Sequence, residues 1–563
     1  MSQSTVSSMP VWQKIPTWGW LLLLCAVVFG TNLWGYSLFD VDEPRYAQCA
    51  REMMQRGDWI TPYFNGEVRF DKPPLFYWLL ALSYSIFGVS EWSARLVSAG
   101  AATAMVLGLY TTVKSLGYKT QALWAAGILS TSLLMVALAH MSITDMTLSL
   151  WMTLTTLALY RVIGDVGNVT KENPEGNPKQ WLWAGLWAGV GILTKGPVAL
   201  MLPGGILVVV SLLLGRFKKA FATPYFAVAI FMALALSLPW YWAAYQANGQ
   251  AFLEATFNHN VSRFSGAVDY HPQPWWYFFP VVLVGFMPWI VPALVWGGAY
   301  KWHLWKHLPQ RDTEPALRLA WFSGLWTGLV FWFFTIAKTK LLTYILPLAP
   351  GYALWMACLL THYSAQPSPK LSKTLACVLA LIALALIVAG PWVAAHPGAI
   401  LPKEARHLGD LKALWAVIGL LVLGFGASAV FVWHQRIKRM GLALVCMMVW
   451  VTVTALVGVV PAINAHTQGD LRRFAENVSS QPSGAAWVSY EITKPSLTYY
   501  ANQPVLRVLR GEGATFKALA QANGTVFVVT KNRLIEDLKV QLPKPLTATV
   551  VDKGVLFSLV KVQ

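Results

Sequence analysis

The sequence predicts a polytopic α-helical membrane protein with a small α/β domain at its C-terminal end. Three observations carry that expectation. Hydrophobic residues make up 56% of the 563-residue chain and charged residues only 12%, a balance that belongs to membrane proteins. Apolar runs long enough to cross a bilayer recur from Trp18 to Val460. After Pro461 the composition turns polar, and short β-rich runs alternate with helix-like stretches.

At roughly 17–25 apolar residues per crossing, candidate spans fall at 18–36, 94–113, 120–140, 146–162, 181–193, 197–214, 224–245, 276–300, 319–336, 341–360, 375–394, 414–432 and 442–460. That is about thirteen transmembrane helices. The first is too long and too weakly punctuated for a cleaved signal peptide. The apolar run 75–87 is too short to span and is assigned to the interface. That assignment sets the parity. It brings Lys114/Lys119, Lys171/Lys179, Arg216/Lys218/Lys219, Lys301/Lys306/Arg311, Lys370/Lys373 and Arg436/Lys438/Arg439 to one side, which the positive-inside rule makes cytoplasmic. The expected organisation is a cytoplasmic N-terminus (1–17), a transmembrane catalytic module (18–461) and an external, periplasmic α/β domain (462–563). The module carries external loops at 40–93, with interfacial helices, and at 246–275. Strands are expected at 486–490, 525–530, 547–551 and 555–562, and helices at 515–523 and 534–540.

The net charge of +18 is accounted for by those cytoplasmic loops, so no nucleic-acid partner is inferred. The five cysteines (Cys25, Cys49, Cys358, Cys377 and Cys446) form neither a disulfide framework nor a C-x-x-C metal pattern. No G-x-G-x-x-G or Walker A fingerprint is present.

The densest chemistry follows the first span. Asp40, Asp42, Glu43, Arg45 and Lys72 lie at a lipid–water boundary, where charges are costly unless paired or used. Tyr46, Cys49, Ala50, Met53 and Met54 repeat at helical spacing, with Arg45, Gln48, Arg51, Glu52 and Arg56 on the other face. An interfacial helix is expected there, capped by Asp42 or Glu43 and ended by Gly57. As caps those acids need no further role. Asp42 and Arg45, three residues apart, share a face, and a carboxylate held ionised by a cation can accept a proton from an attacking hydroxyl. Asp40-Val41-Asp42 also fits the loose D-x-D pattern of metal-dependent sugar transferases.

In Phe70-Asp71-Lys72-Pro73-Pro74 the tandem prolines hold Lys72 extended beside the run 75–87. An ammonium there suits a phosphate at headgroup depth, and equally a snorkelling lysine. The same external face is expected to carry Asp145 at a helix start, Lys195 in a helix–helix break, His259 and Arg263 in the second loop, and Lys338, Lys340 and Tyr344. Each has an ordinary structural reading; their shared face argues for a joint one.

Asp42-Glu43-Pro44-Arg45-Tyr46-Ala47-Gln48, followed by Gly57-Asp58-Trp59-Ile60 and Phe70-Asp71-Lys72-Pro73, resembles the aminoarabinose–lipid A transferases. More broadly it resembles the GT-C membrane glycosyltransferases, which include the protein O-mannosyltransferases. The similarity runs from Asp42 to about residue 350. It implies a GT-C fold, a polyprenyl-phosphate-linked sugar donor and a location in the cell inner membrane. Carried over by motif, Asp42 is the catalytic acid residue acting on the acceptor, with Asp145 in support. Lys72, Arg263 and Tyr344 hold the donor phosphate, and Arg45, Lys195 and Lys340 join the phosphate-binding set. A divalent metal at Asp71 and His259 is a candidate cofactor. The chain departs from the family pattern at Pro44 (Thr), Gln48 (Glu) and Asp71 (commonly Glu), and His259 precedes by one place the family histidine, which would fall at Asn260.

The resulting expectation is an integral-membrane glycosyltransferase working by single displacement with inversion. Its acceptor is a lipid A-like glycolipid, with a polysaccharide or a protein as the alternatives. A lipid-linked-sugar transporter would instead show buried charges in broken helices and internal repeats; the acids here sit mainly at span ends.

Overall fold

The computed structural model describes residues 15–164, 178–258, 272–306, 315–399, 408–409, 411–479 and 485–563. Among them, eight helices are long and apolar enough to cross a membrane, and ten if each of two bent pairs counts as one crossing. This is fewer than about thirteen because the apolar helices Thr17–Gly30 and Val198–Leu213 are short and Pro178–Lys195, polar at both ends, is not among those apolar enough; Leu75–Phe87, not counted as a span, is also short.

The helices sort by burial. Thr144–Ile163 has 83% of its most apolar window inside the protein, whereas Pro369–Ala395 and Lys412–Trp433 have 22% each. The first is therefore the axis of the bundle, and the other two present apolar surface outward. The inner helix carries many hydroxyls, several of which bond back within it: Thr153 Oγ1 donates to Ser149 O at 2.6 Å and Thr156 Oγ1 to Met152 O at 2.7 Å. Such back-bonding lets polar residues sit in an apolar interior.

Two segments read as single spans are broken. The 120–140 run divides into Lys119–Ser130 and Leu133–Ala139, bent by 61°, and 276–300 divides into Trp275–Gly285 and Ile290–Tyr300, bent by 112°. Trp289 at the second break donates from Nε1 to Thr131 Oγ1 at the first, at 3.0 Å. A third difference concerns the expected loop at 246–275: the helical run Pro224–Phe257, two helices joined across a kink at Gly249, extends well into it. At Gly249 the backbone turns through φ +60, a conformation glycine adopts without penalty. The turn brings Phe252, 2% exposed, against Trp240 and Phe70, with ring centroids 5.6 and 5.4 Å away.

The first loop is an ordered platform. The helix Asp42–Arg56 buries Tyr46, Ala47, Cys49, Ala50 and Met53, and Gly57 ends it at φ +66. A hairpin follows, β1 (Tyr63–Phe64) paired antiparallel with β2 (Glu67–Val68), its Asn65-Gly66 turn lying at positive φ in both residues. Glu52 anchors the turn, accepting from Asn65 N at 2.8 Å and Gly66 N at 3.0 Å. Leu75–Phe87 is a separate 13-residue helix.

Beyond Thr467 lies a five-stranded mixed sheet of β3 (Ala486–Tyr490), β4 (Val505–Val508), β5 (Val526–Lys531), β6 (Ala548–Lys553) and β7 (Phe557–Val562), in the order β4-β3-β5-β7-β6. β3 runs parallel to β4 and β5, and β7 antiparallel to β5 and β6. Alternate residues face two apolar layers. Trp487, Phe527 and Leu559 pack on helices Gly469–Ser479 and Pro495–Ala501, while Val488, Val528 and Val560 pack on Gly513–Asn523 and Ile535–Gln541.

Candidate active site

The chain brings several distant charged residues to one cavity of about 440 Å³, whose lining includes Asp71, Lys72, Asp145, Lys195 and Tyr344. Asp145 is in the first turn of its helix, and Lys195 is the last residue of Pro178–Lys195. Lys195 Nζ donates to Asp145 Oδ1 at 2.7 Å and lies 4.6 Å from the ring centroid of Tyr344. Tyr344 is carried by the tight turn Leu342–Leu348. An ammonium joined to a carboxylate and resting on an aromatic face is fixed in place without losing its charge. The opposite wall is apolar, with Trp240, Tyr241, Phe252, Phe333 and Phe334. Trp240 Nε1 donates to Ile60 O at 3.0 Å, tying that wall to the first loop.

Lys72 also lines the cavity, its Nζ donating to Asp71 O at 2.9 Å. Asp71 forms an ion pair with Arg69. Its carboxylate thus serves a cation, and among the described residues no three His, Cys, Asp or Glu side chains gather as a metal site. His259 and Arg263 lie outside the described residues. Lys340 is buried, and Nζ donates to Gln273 O at 3.2 Å beside the Pro272–Thr339 bridge. Burial pushes its ammonium below the usual lysine range.

Asp42 opens its helix with a side chain 56% exposed, 3.7 Å from Arg45. It lies outside the cavity lining, yet its charge acts on both Tyr46 and Lys195. Arg45 is drawn below the ordinary arginine range by burial and by the like charge of Arg69. The buried Nε atoms of Arg45 and Arg69 have no hydrogen-bond partner among the described residues. Neither carboxylate read as a cap performs that role: the cap position is Val41, and no side chain bonds to it. Glu43 is fully buried in a two-pronged pair with Arg95, Nε to Oε1 and Nη2 to Oε2, both 3.0 Å. It also accepts from Phe39 N at 2.8 Å and Ser142 N at 2.7 Å.

The members of Asp40-Val41-Asp42 separate as well. Asp40 faces the C-terminal domain, where it accepts from Ser496 N at 2.9 Å and Ser496 Oγ at 2.6 Å, with Lys494 Nζ 3.6 Å away. Burial pushes its carboxyl above the usual range, against the pull of Lys494 and Ser496.

Sequence reasoning passed over Arg69 and Arg95. Arg69 sits one residue before the motif used as a marker, inside an otherwise unremarked hairpin return. Arg95 is a cation near the start of an apolar helix whose other cation, Lys114, sits in the last turn, and that position was the available signal.

The chain is a multi-helix protein whose cations and acids converge on one cavity, and comparisons with known proteins place it in the class of GT-C membrane glycosyltransferases. A family model described as dolichyl-phosphate-mannose-protein mannosyltransferase matches residues 71–242. The chain is 30% identical over 397 residues to the undecaprenyl phosphate-alpha-4-amino-4-deoxy-L-arabinose arabinosyl transferase of Yersinia pestis (strain Pestoides F), covering 69% of this chain and 68% of that one. It is 29% identical over 433 residues to the protein of the same name from Pseudomonas aeruginosa (strain UCBPP-PA14), covering 72% and 75%. The fold matches the apo crystal structure of ArnT from Cupriavidus metallidurans with a TM-score of 0.75 at 22% identity, over 96% of this chain and 98% of that one. The same protein bound to undecaprenyl phosphate gives a TM-score of 0.74. The chain belongs to the family of undecaprenyl phosphate–aminoarabinose arabinosyl transferases.

Proposed function

We propose that this protein transfers 4-amino-4-deoxy-L-arabinose, or a closely related sugar, from undecaprenyl phosphate to a lipid A-like glycolipid. The observation that carries the reading is the cavity shared by Lys72, Asp145, Lys195 and Tyr344, just before the start of the interfacial helix Leu75–Phe87. The names of the relatives support the donor and the sugar. The aromatic wall suits a polyprenyl chain, and the cations suit the phosphate that ends it.

In the proposed reaction an acceptor oxygen attacks the anomeric carbon from the face opposite the phosphate. The new carbon–oxygen bond forms as the bond between that carbon and the phosphate oxygen breaks, with inversion. Lys72 and Lys195, joined by Arg263 and Lys340, stabilise the charge that gathers on the leaving undecaprenyl phosphate. Asp42 orients the acceptor and takes its proton where the nucleophile carries one. Arg45 and Arg69 suit an anionic group on the acceptor. Asp145 holds Lys195 in position.

The same reading sets the protein in the cell inner membrane with its active site and C-terminal domain in the periplasm. It counts thirteen crossings, the helices Thr17–Gly30, Pro178–Lys195 and Val198–Leu213 being added to the eight long helices and two bent pairs.

The test is transfer by purified full-length Asp42→Asn, with undecaprenyl phosphate-linked aminoarabinose as donor and lipid A as acceptor. The variant is expected to keep its fold and bound undecaprenyl phosphate while losing transfer. Wild-type turnover in that variant removes Asp42 from the chemistry, and a wild-type protein inert toward this substrate pair overturns the substrate assignment.

A further inference from the structure

The start of the Asp42 helix is held from outside the membrane module. Asp40, its side chain 1% exposed, is fixed by the backbone and hydroxyl of Ser496 and faced by Lys494. Just before it, Leu38 N donates to Tyr500 Oη at 2.8 Å, and Ser37 N and Oγ donate to Asn464 Oδ1, near the end of the helical run Ile437–Thr467 that leads into that domain, at 2.9 and 2.8 Å. The far part of the helix is held by the same domain: Arg51 Nη1 donates to Tyr499 O at 2.7 Å and Asn502 Oδ1 at 3.1 Å. The hairpin after it is held too, Asn65 exchanging bonds with Val505 N at 2.8 Å and Val505 O at 3.0 Å.

We propose that the C-terminal α/β domain is a positioning element of the active site, and that Asp40, gripped by Ser496 and Lys494, is the latch that sets the place of Asp42. This rests on the assignment of Asp42 to the chemistry. Three features argue for it over simple adhesion between two parts of the chain. Adhesion is achieved by apolar packing, whereas a buried carboxylate carries a desolvation cost and returns a single geometry. The contacts flank the helix at its start, along its length and at the hairpin beyond, so they fix its rotation as well as its position. And the latch lies two residues from Asp42, too short a stretch for slack at Asp40 to be absorbed before it reaches the reacting group. Asp40, Ser496 and Lys494 touch no substrate in this scheme; they act through Asp42.

The test uses the full chain in phospholipid nanodiscs, with Ser496→Ala, Lys494→Met and the hydroxyl-preserving Ser496→Thr. Three quantities are read: kcat and KM for the lipid-linked donor, binding of undecaprenyl phosphate alone, and the melting temperature. Ser496→Ala and Lys494→Met are expected to lower kcat by roughly ten- to a hundredfold, the effect of a small misplacement at a reacting group. KM and undecaprenyl phosphate binding should stay within about twofold of wild type, and Ser496→Thr should recover most of kcat. Unchanged kcat in Ser496→Ala and Lys494→Met overturns the latch. So does a fall in kcat that merely follows a loss of folded protein or of donor binding, which is what adhesion alone predicts. The underlying assignment fails separately: if Asp42→Asn turns over normally, Asp42 has no role to position. If Asp42→Asn is inactive while the latch variants behave as wild type, only the latch falls.

Discussion

Asp42 and Glu43 are neighbours with opposite fates, and side-chain environment alone separates them. Asp42 is exposed beside Arg45, whereas Glu43 is enclosed with Arg95. Arg95 itself donates to Leu33 O, Tyr36 O and Ser37 O at 2.8–3.0 Å, so the pair ties the end of the first helix to the loop. Removing one partner of such a pair leaves the other charged and buried, at a cost of about 3–5 kcal/mol. Glu43→Gln is expected to lower the melting temperature sharply and reduce the yield of folded protein, while Asp42→Asn leaves both near wild type; thermal melts of the two in detergent check this. The sequence made Lys72, Asp145, Lys195 and Tyr344 legible as a group because topology alone brought them to one face. It could not separate Asp42 from Glu43, or foresee the partner of Asp40, because Glu43 is fixed by Arg95, 52 positions on, and Asp40 by Ser496, 456 positions on.

Helix periodicity was readable wherever one face is buried and the other wet, as in Asp42–Arg56. It was less readable where a span is apolar throughout, because a hydropathy window does not register a bend. The breaks at Thr131 and near Trp289, and the continuation past Gly249, were therefore missed. Gly249 gives the clearest consequence at this scale. A methyl group there would meet nothing within 4 Å, so the cost of Gly249→Ala is confined to the backbone, about 1–3 kcal/mol for a residue at φ +60, ψ −141, a conformation essentially restricted to glycine. Relief of that strain would turn Phe252 away from Trp240 and Phe70 and open the apolar wall. The expected result is a severalfold rise in donor KM with a smaller change in kcat, measured by steady-state transfer.

For the whole molecule, the division into an apolar bundle and a C-terminal sheet was visible as a shift in composition at Pro461. β4 was missed because it is short and follows a proline. The proposed sidedness makes a direct prediction. A cysteine at exposed Val540 should react with a membrane-impermeant maleimide in intact spheroplasts, and one at Lys438 only after permeabilisation; the reverse pattern would invert the topology. The bond between Asp40 and Ser496 crosses 456 positions of the chain. A ribosome emits Asp42 long before Ser496, so under the proposed latch the nascent polypeptide carries the carboxylate assigned to the chemistry through most of membrane insertion before the piece that aligns it exists. Competence then arrives with the completed chain, and an incomplete translation product left in the bilayer would be idle, not indiscriminate toward nearby lipids.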